Sequence, residues 1–302
     1  MTLESAIGSV VPRYLLGRHL RELREAAGLS LRQAGAELEM SASTVSRLEN
    51  GESPVRSLDV EQACKVYGVA DAELVRALMD LAKETRATKA RNWLSSYADL
   101  VSDNFVLFTG LEASTSSLAL YETDLIPGLL QTRDYAKSIM GDERFTRSDI
   151  DPDVLERRLE IRLNRQQILE RESGPPRLDV VLSEAVVRRR VGGDETMAGQ
   201  LIHLLDMAQR PDVAIRIMPF DVDEHAGMTT GPFALLGFPS RGPLIEWSGA
   251  YADGFLGFFW SDKPDEVQLL QKAWANLWET ALDDAESAEF IKHRLSQLQP
   301  NA

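Results

Sequence analysis

The chain has 302 residues, 44% of them hydrophobic and 26% charged, which suits about two soluble domains, each able to bury a core. No apolar run approaches the length of a membrane span and no basic-then-apolar leader opens the chain, so membrane insertion and secretion are disfavoured and a cytoplasmic location is expected. The formal charge of −14 is uneven: residues 1–91 hold thirteen Lys and Arg against thirteen Asp and Glu, so the remainder carries the whole excess, disfavours non-specific nucleic-acid binding there and leaves room for a basic partner.

In chain order, residues 1–12 end in Val-Val-Pro and read as a loose arm. Leu15, Leu16, His19, Leu20, Leu23 and Ala27 then fall at helical spacing, with arginines interleaved at 18, 21 and 24 and Gly28 closing the helix. His19 reads as an ordinary helix residue. Ser30 is an N-cap for a short helix whose inward side carries Leu31, Ala34, Gly35 and Leu38, small where another helix must come close. Glu39-Met40 makes a turn, and Ser41 or Ser43 caps a second helix that Asn50-Gly51 ends. In that helix Val45 and Leu48 face inward while Ser43, Thr44, Ser46 and Arg47 face out. A short helix with a small, polar, partly basic outer face fits a DNA major groove. Its N-terminus suits phosphate, and an arginine one turn along can bond guanine through two acceptors.

The segment from Ser30 to Gly51, with its Ser-Thr-Val-Ser-Arg-Leu-Glu-Asn-Gly ending, resembles the XRE (phage-repressor and Cro-like) family of helix-turn-helix regulators. That resemblance implies double-stranded operator DNA as partner, with Ala42, Ser43, Thr44 and Arg47 facing bases. Phosphates would meet Asn50 and the two helix N-termini, at Ser30, Arg32 and Ser41. It also implies a structural ion pair between Arg24 and Glu49. Two positions depart from the family pattern: Glu39 stands where many relatives have a left-handed Gly, and Leu31 and Ala42 stand where several carry long polar readers, which implies few base contacts.

Beyond the motif, Glu52–Ser57 forms a loop from which Arg56 could reach phosphate, and Leu58–Tyr67 and Leu74–Leu81 read as two more helices. Residues 1–82 thus form an all-α, five-helix domain. Cys64 falls in an apolar helical pattern with Ala63 and Val66 and reads as a buried, inert thiol. Residues 83–94 read as a charged helical connector.

In residues 95–302 strands and helices alternate. Leu118, Leu120 and Tyr121 suggest a strand, Pro127-Gly128 a turn, and Gln131 or Thr132 a helix start. The run from Gly110 to Ala136, the helix at 158–166 and Val191-Gly192-Gly193 resemble the C-terminal domain of unknown function carried by many actinobacterial XRE-type regulators. This likeness spans nearly all of 95–295 and implies a small protein encoded by a neighbouring gene as a candidate partner. Further strands are expected at 179–182, 213–219, 233–238, 244–247 and 255–259, and helices near 152–171, 195–209, 264–282 and 284–298. Successive strands late in the chain favour an α+β fold with a mainly antiparallel or mixed sheet.

The polar loop from Phe220 to Phe233 holds His225 near Asp221, Asp223 and Glu224, with Gly227, Thr229 and Thr230 beside it. It could line a ligand pocket, meet a partner or take a metal, although no second histidine stands at ligand spacing. Trp247 could join that site. With Tyr251, Phe255, Phe258, Phe259 and Trp260 it also forms an aromatic cluster able to stack on a planar ligand, or a piece of core. Trp274 and Trp278 share one helix face and pack against the sheet or another subunit. Arg188-Arg-Arg190 beside Gly192-Gly193 could hold a phosphate or carboxylate, or be an exposed helix end. The chain contains no Walker loop, no G-x-S-x-G, no His-Glu-x-x-His and no paired cysteines, so neither an enzyme nor a cofactor is expected. The reading is a sequence-specific transcriptional regulator, a homodimer because one short helix contacts too few bases, whose second domain senses a small molecule or a protein. The competing reading is an antitoxin-like or sequestering module in which DNA binding only autoregulates.

Overall fold

The computed structural model describes residues 10–86, 93–97, 99–101, 103–141, 151–172, 174–239, 242, 244, 247–254 and 257–298. Most of the arm at 1–12, the middle of the connector and the start of the strand expected at 255–259 lie outside them. Two compact units emerge, one from residues up to Ser114 with 239–246, the other from Thr115–Phe238 and Trp247 onward.

The described part of the first unit begins with helices α1 (Val10–Ala26), α2 (Leu31–Glu37), α3 (Ala42–Glu49), α4 (Ser57–Val66) and α5 (Ala72–Arg86). A 3-10 turn at Trp93–Tyr97 and α6 (Asp103–Glu112) continue it, with α6 packed on α1. Helix α1 starts earlier than its leucine spacing suggests, taking in the end of the expected arm. Val11 is buried and Pro12 sits in the first turn, where a missing N–H breaks no intrahelical bond. Leu16, Leu20, Val45, Val60 and Leu78 make a core in which α2 and α3 are too short to stand alone. Cys64 is buried in it, and burial pushes its thiol pKa up.

The second unit is an α+β domain around a mixed sheet of six strands in the order β3-β2-β1-β4-β5-β6. These are β1 (Ser117–Glu122), β2 (Arg177–Ser183), β3 (Val213–Met218), β4 (Phe233–Phe238), β5 (Trp247–Gly254) and β6 (Gly257–Ser261). Strands β1, β2 and β3 run parallel, joined by helical crossovers containing α7 (Arg133–Met140) and α8 (Pro152–Gln166), then α9 (Glu184–Arg188) and α10 (Asp194–Met207). The rest pair antiparallel as β1-β4-β5-β6. A short turn of helix, α11 (Gly227–Thr230), precedes β4, and α12 (Pro264–Thr280) and α13 (Asp284–Leu298) end the described chain. Along β1 the side chains alternate, and both faces are buried: Leu118 and Leu120 on one, Tyr121 on the other with Val181, Met218, Phe233 and Leu235 under α12. Trp274 and Trp278 pack α12 against this layer, their rings 5.4 Å apart, and the Arg216 guanidinium lies 4.0 Å from the Trp278 ring centre.

The strand expected at 244–247 is displaced: β5 begins at Trp247 and runs to Gly254. Its small residues, Ser248, Gly249 and Ala250, look like a loop. They extend because Trp260 of β6 lies over Gly249, where a Cβ would come within 2.1 Å of the indole. The hairpin also divides the expected aromatic cluster. Trp260 pairs with Tyr251, whereas its neighbour Phe259 pairs with Ala252 and faces the other way, half exposed.

The turn after β1 explains the sequence run that carries the family likeness. The segment from Ile126 to Thr132 is largely buried, and its backbone groups are satisfied by side chains, some near and some distant in sequence. Gln131 Nε2 donates to Ile126 O at 2.6 Å, Gln166 Nε2 to Gly128 O at 2.9 Å, and Gln200 Nε2 to Leu130 O at 2.7 Å. Ile126 N donates to the Tyr135 hydroxyl at 3.1 Å and Thr132 N to Gln200 Oε1 at 2.7 Å. Unpaired amides buried at this depth would cost about 1–3 kcal/mol each, so these polar residues are structural.

Candidate nucleic-acid interface

Helices α2 and α3 form a helix-turn-helix fixed by local chemistry. Ser30 and Gln33 make a reciprocal capping box: Gln33 N donates to Ser30 Oγ at 3.3 Å, and Ser30 N to Gln33 Oε1 at 3.0 Å. The turn holds Glu39 at φ 54°, the left-handed conformation for which glycine is usual. Gly35 lets the turn fold back, since a Cβ there would lie 2.7 Å from Met40 O. Ser41 caps α3, accepting from Thr44 N at 3.0 Å, and its hydroxyl also lies 2.8 Å from both the Ser43 and Thr44 hydroxyls. At the far end Gly51 N donates to Leu48 O and Glu52 N to Arg47 O, a Schellman motif with Gly51 at φ 69°.

The helix is anchored from behind. Arg24 on α1 reaches Glu49 with a two-pronged bond, Nε to Oε1 at 2.6 Å and Nη2 to Oε2 at 2.9 Å, and spends Nη1 on Leu29 O at 2.8 Å. Both partners are buried, and the pair raises the Arg24 pKa, chiefly through the hydrogen bond. A pair of this kind costs about 3–5 kcal/mol to break from one side, because the surviving charge is left without a partner. Tyr67 packs beside it, its phenol pushed up to about 12 by burial and then by the Glu49 charge. Two contacts that the chain pattern did not signal complete the mount. Arg21 Nη2 donates to Asn50 Oδ1 at 2.6 Å and to Glu49 O at 3.3 Å, a cation at the C-terminus of α3. Gly17 lets α1 touch α3, since a Cβ there would lie 2.5 Å from Leu48 O. An isolated glycine inside a helical pattern was the one available hint.

What faces outward is the first half of α3: Ala42, Ser43, Thr44 and then Arg47 are exposed, while Ser46 is half covered. Arg32 is exposed at the start of α2. The Ser30 and Ser41 hydroxyls are taken up in caps. Asn50 is held by Arg21, and Arg56 is clamped by Asp59, Nε to Oδ2 at 2.8 Å and Nη2 to Oδ1 at 2.6 Å. The surface offers hydroxyls and an arginine within one short helix, groups by which a protein meets phosphates and a base edge.

In the second unit the loop before β4 is a packed cap over the sheet. His225 lies edge-on to Tyr121, ring centres 6.4 Å apart, and its Nδ1 is buried without a hydrogen-bond partner among the described residues. Burial lowers its pKa. Gly227 is pressed onto the same phenol: a Cβ would come within 2.3 Å of the hydroxyl. The hydroxyls of Thr229 and Thr230 turn to the local backbone, to Ala226 O and Gly231 O. Trp247 does not share this place. It pairs with Phe238 at the far end of β4, whereas His225 sits at the Phe233 end, about 17 Å of strand away. Among the described residues no three His, Cys, Asp or Glu side chains converge as a metal would require. The three consecutive arginines also have partners, Arg188 in Glu184 and the Phe290 ring, Arg189 in Asp124 and Arg190 in Asp194.

Comparison with known proteins agrees with this division. A family model described as a helix-turn-helix domain matches residues 15–78, and one described as a domain of unknown function (DUF5753) matches residues 105–293. No curated protein and no solved structure matches the chain. No helix among the described residues is long and apolar enough to cross a membrane. The first unit therefore carries an XRE-type helix-turn-helix of a DNA-binding regulator, and the chain, matched over more than half its length, belongs to the DUF5753 family.

Proposed function

We propose that this DNA-binding regulator recognises a specific operator as a homodimer in the cytoplasm, and that its second unit receives the signal, a small molecule or a protein, that controls it. The observation that carries the reading is the mount of α3: Ala42, Ser43, Thr44 and Arg47, the residues we assign to the bases, stand exposed on a helix whose back is pinned by the buried Arg24–Glu49 pair. A helix of eight residues reads only a few base pairs, so useful selectivity calls for two copies on one site. The test is genome-wide crosslinking and sequencing of bound DNA, with the wild type beside a Thr44→Ala/Arg47→Ala double variant. Both residues are exposed, so the variant keeps the fold. Sharp sites in the wild type that vanish in the variant are the expected result; no enrichment for either protein would sink the reading.

A second reading has its own support. Leu125, Phe220 and Met228 are exposed, and they belong to the segments that follow β1 and β3 and precede β4, all at one end of the sheet. Apolar side chains in that position suit a protein partner, such as a small neighbour-encoded protein, with DNA binding then serving autoregulation. Co-purification of such a protein, lost when Phe220 and Met228 are changed to Ser, would favour this reading over a small-molecule sensor. Neither reading involves catalysis.

A further inference from the structure

Resting on the DNA-binding reading above, we propose that Glu52 is a specificity-determining residue. Its carboxylate occupies Arg47 and Asn50 until a base edge displaces it, and so withholds Arg47 from the phosphates of unrelated DNA.

The placement is built in. Glu52 follows the left-handed Gly51 and is fixed by its own N–H on Arg47 O at 3.0 Å, so the Schellman motif that ends α3 also returns Glu52 toward the side chain of Arg47. Glu52 Oε2 lies 3.7 Å from Arg47 Nε, and Oε1 accepts from Asn50 Nδ2 at 3.4 Å. Arg47 Nη2 meanwhile donates to Ser53 Oγ at 3.0 Å. One carboxylate thus touches two residues placed at the DNA. It has no structural reason to be there: a negative charge at a helix C-terminus opposes the macrodipole, and beside DNA it repels phosphate. Asp59, which clamps Arg56, is different, since it is mostly buried in the first turn of α4, where a carboxylate is favourable.

The Arg47–Glu52 contact is weak enough to be exchanged, for the side chains are 63% and 53% exposed and the separation is long for a hydrogen bond. Guanine presents two acceptors to a guanidinium in a fixed geometry, and that match displaces the carboxylate. A phosphate can also take a guanidinium through two oxygens, but it is an anion and is repelled by the Glu52 carboxylate beside Arg47, whereas the guanine edge is neutral, so on an unrelated sequence Arg47 stays with Glu52.

The test measures binding of full-length protein by fluorescence anisotropy across a salt series. The probes are a duplex of about 30 base pairs from the strongest crosslinked site and a shuffled duplex of equal length. Glu52→Gln should tighten the shuffled duplex about five- to tenfold and the crosslinked site less than about twofold. Its salt slope on the shuffled duplex should steepen by about 0.9, one added phosphate contact. In an Arg47→Ala background the difference between the duplexes should disappear. Equal tightening on both would reduce Glu52 to a general charge and overturn the proposal, as would a difference that persists without Arg47. A wild type that discriminates while Glu52→Gln changes nothing removes the proposal and leaves the regulator. A wild type with no crosslinked sites and no discrimination removes both.

Discussion

Among the described residues Glu39 is the non-glycine held at positive φ, and it sits at the turn between α2 and α3 with its side chain exposed. An L-residue in the left-handed region costs about 1–2 kcal/mol, while glycine adds back some unfolded-state entropy. Glu39→Gly should therefore stabilise the first unit by about 1 kcal/mol, seen as a higher urea midpoint with an unchanged slope. A lower midpoint would show that the Glu39 side chain makes a contact stronger than the strain. Residues of this kind are legible in sequence because the constraint is local. Ser30 bonds Gln33 and Ser41 bonds Thr44, each three positions on, so the caps and the turn follow from adjacent letters. Arg56 shows the limit. Its exposed cation suggests a phosphate contact, yet a carboxylate three residues away already occupies it, and DNA would have to displace Asp59.

At the level of elements, the relation of α1 to α3 decides whether the recognition surface exists. Gly17 and Arg21 are more than 25 residues from the groups they meet, so no periodicity in α1 distinguishes them from any other helix position. Gly17→Ala would place a methyl against three backbone atoms of Leu48 and Glu49, all within 2.8 Å, and backbone cannot step aside as a side chain can. The variant should lose about 1–3 kcal/mol of stability and should also bind operator more weakly, although Gly17 touches no DNA in the proposed docking. Thermal unfolding and anisotropy check the two halves of this expectation. Lost stability with unchanged binding would mean that α3 keeps its place and α1 yields. The β5–β6 hairpin repeats the lesson, because Gly249 and its small neighbours become a strand only when Trp260 arrives to cover them.

Across the whole molecule, histidines that are buried or half-buried occur in both units, and they give stability a definite dependence on pH. His19 in the first unit and His203 and His225 in the second are each held below the ordinary histidine value, by burial first of all. The unfolded chain therefore binds more protons between the two sets of values. The stabilisation is full above about pH 6.5 and is lost as pH falls through the folded values. Self-repulsion from the −14 charge relaxes over the same interval and acts the other way, so the histidine contribution is read by difference. Between about pH 7.5 and 5.5 the urea midpoint of the wild type should fall relative to that of His19→Gln. Parallel midpoints would assign the buried imidazole no role in the linkage.

The helix-turn-helix, its caps and the α+β character of the second unit were determined by the sequence alone, because they rest on spacings of two to four residues and on the order of elements. The resemblance in residues 110–136 was legible too, but its physical content was not. Gln131, Gln166, Gln200 and Tyr135 prove to be partners for buried backbone, so the part of that signature around Ile126–Thr132 encodes a turn. Tertiary structure alone decided which distant residues meet. It set Arg21 and Gly17 behind α3, brought Glu52 to Arg47, stacked His225 and Gly227 on Tyr121, and put Trp247 at the opposite end of the sheet. The reason is the same in each case: a strand register or a helix crossing is settled by packing across the whole core, and a local pattern carries no record of which surface will arrive from elsewhere.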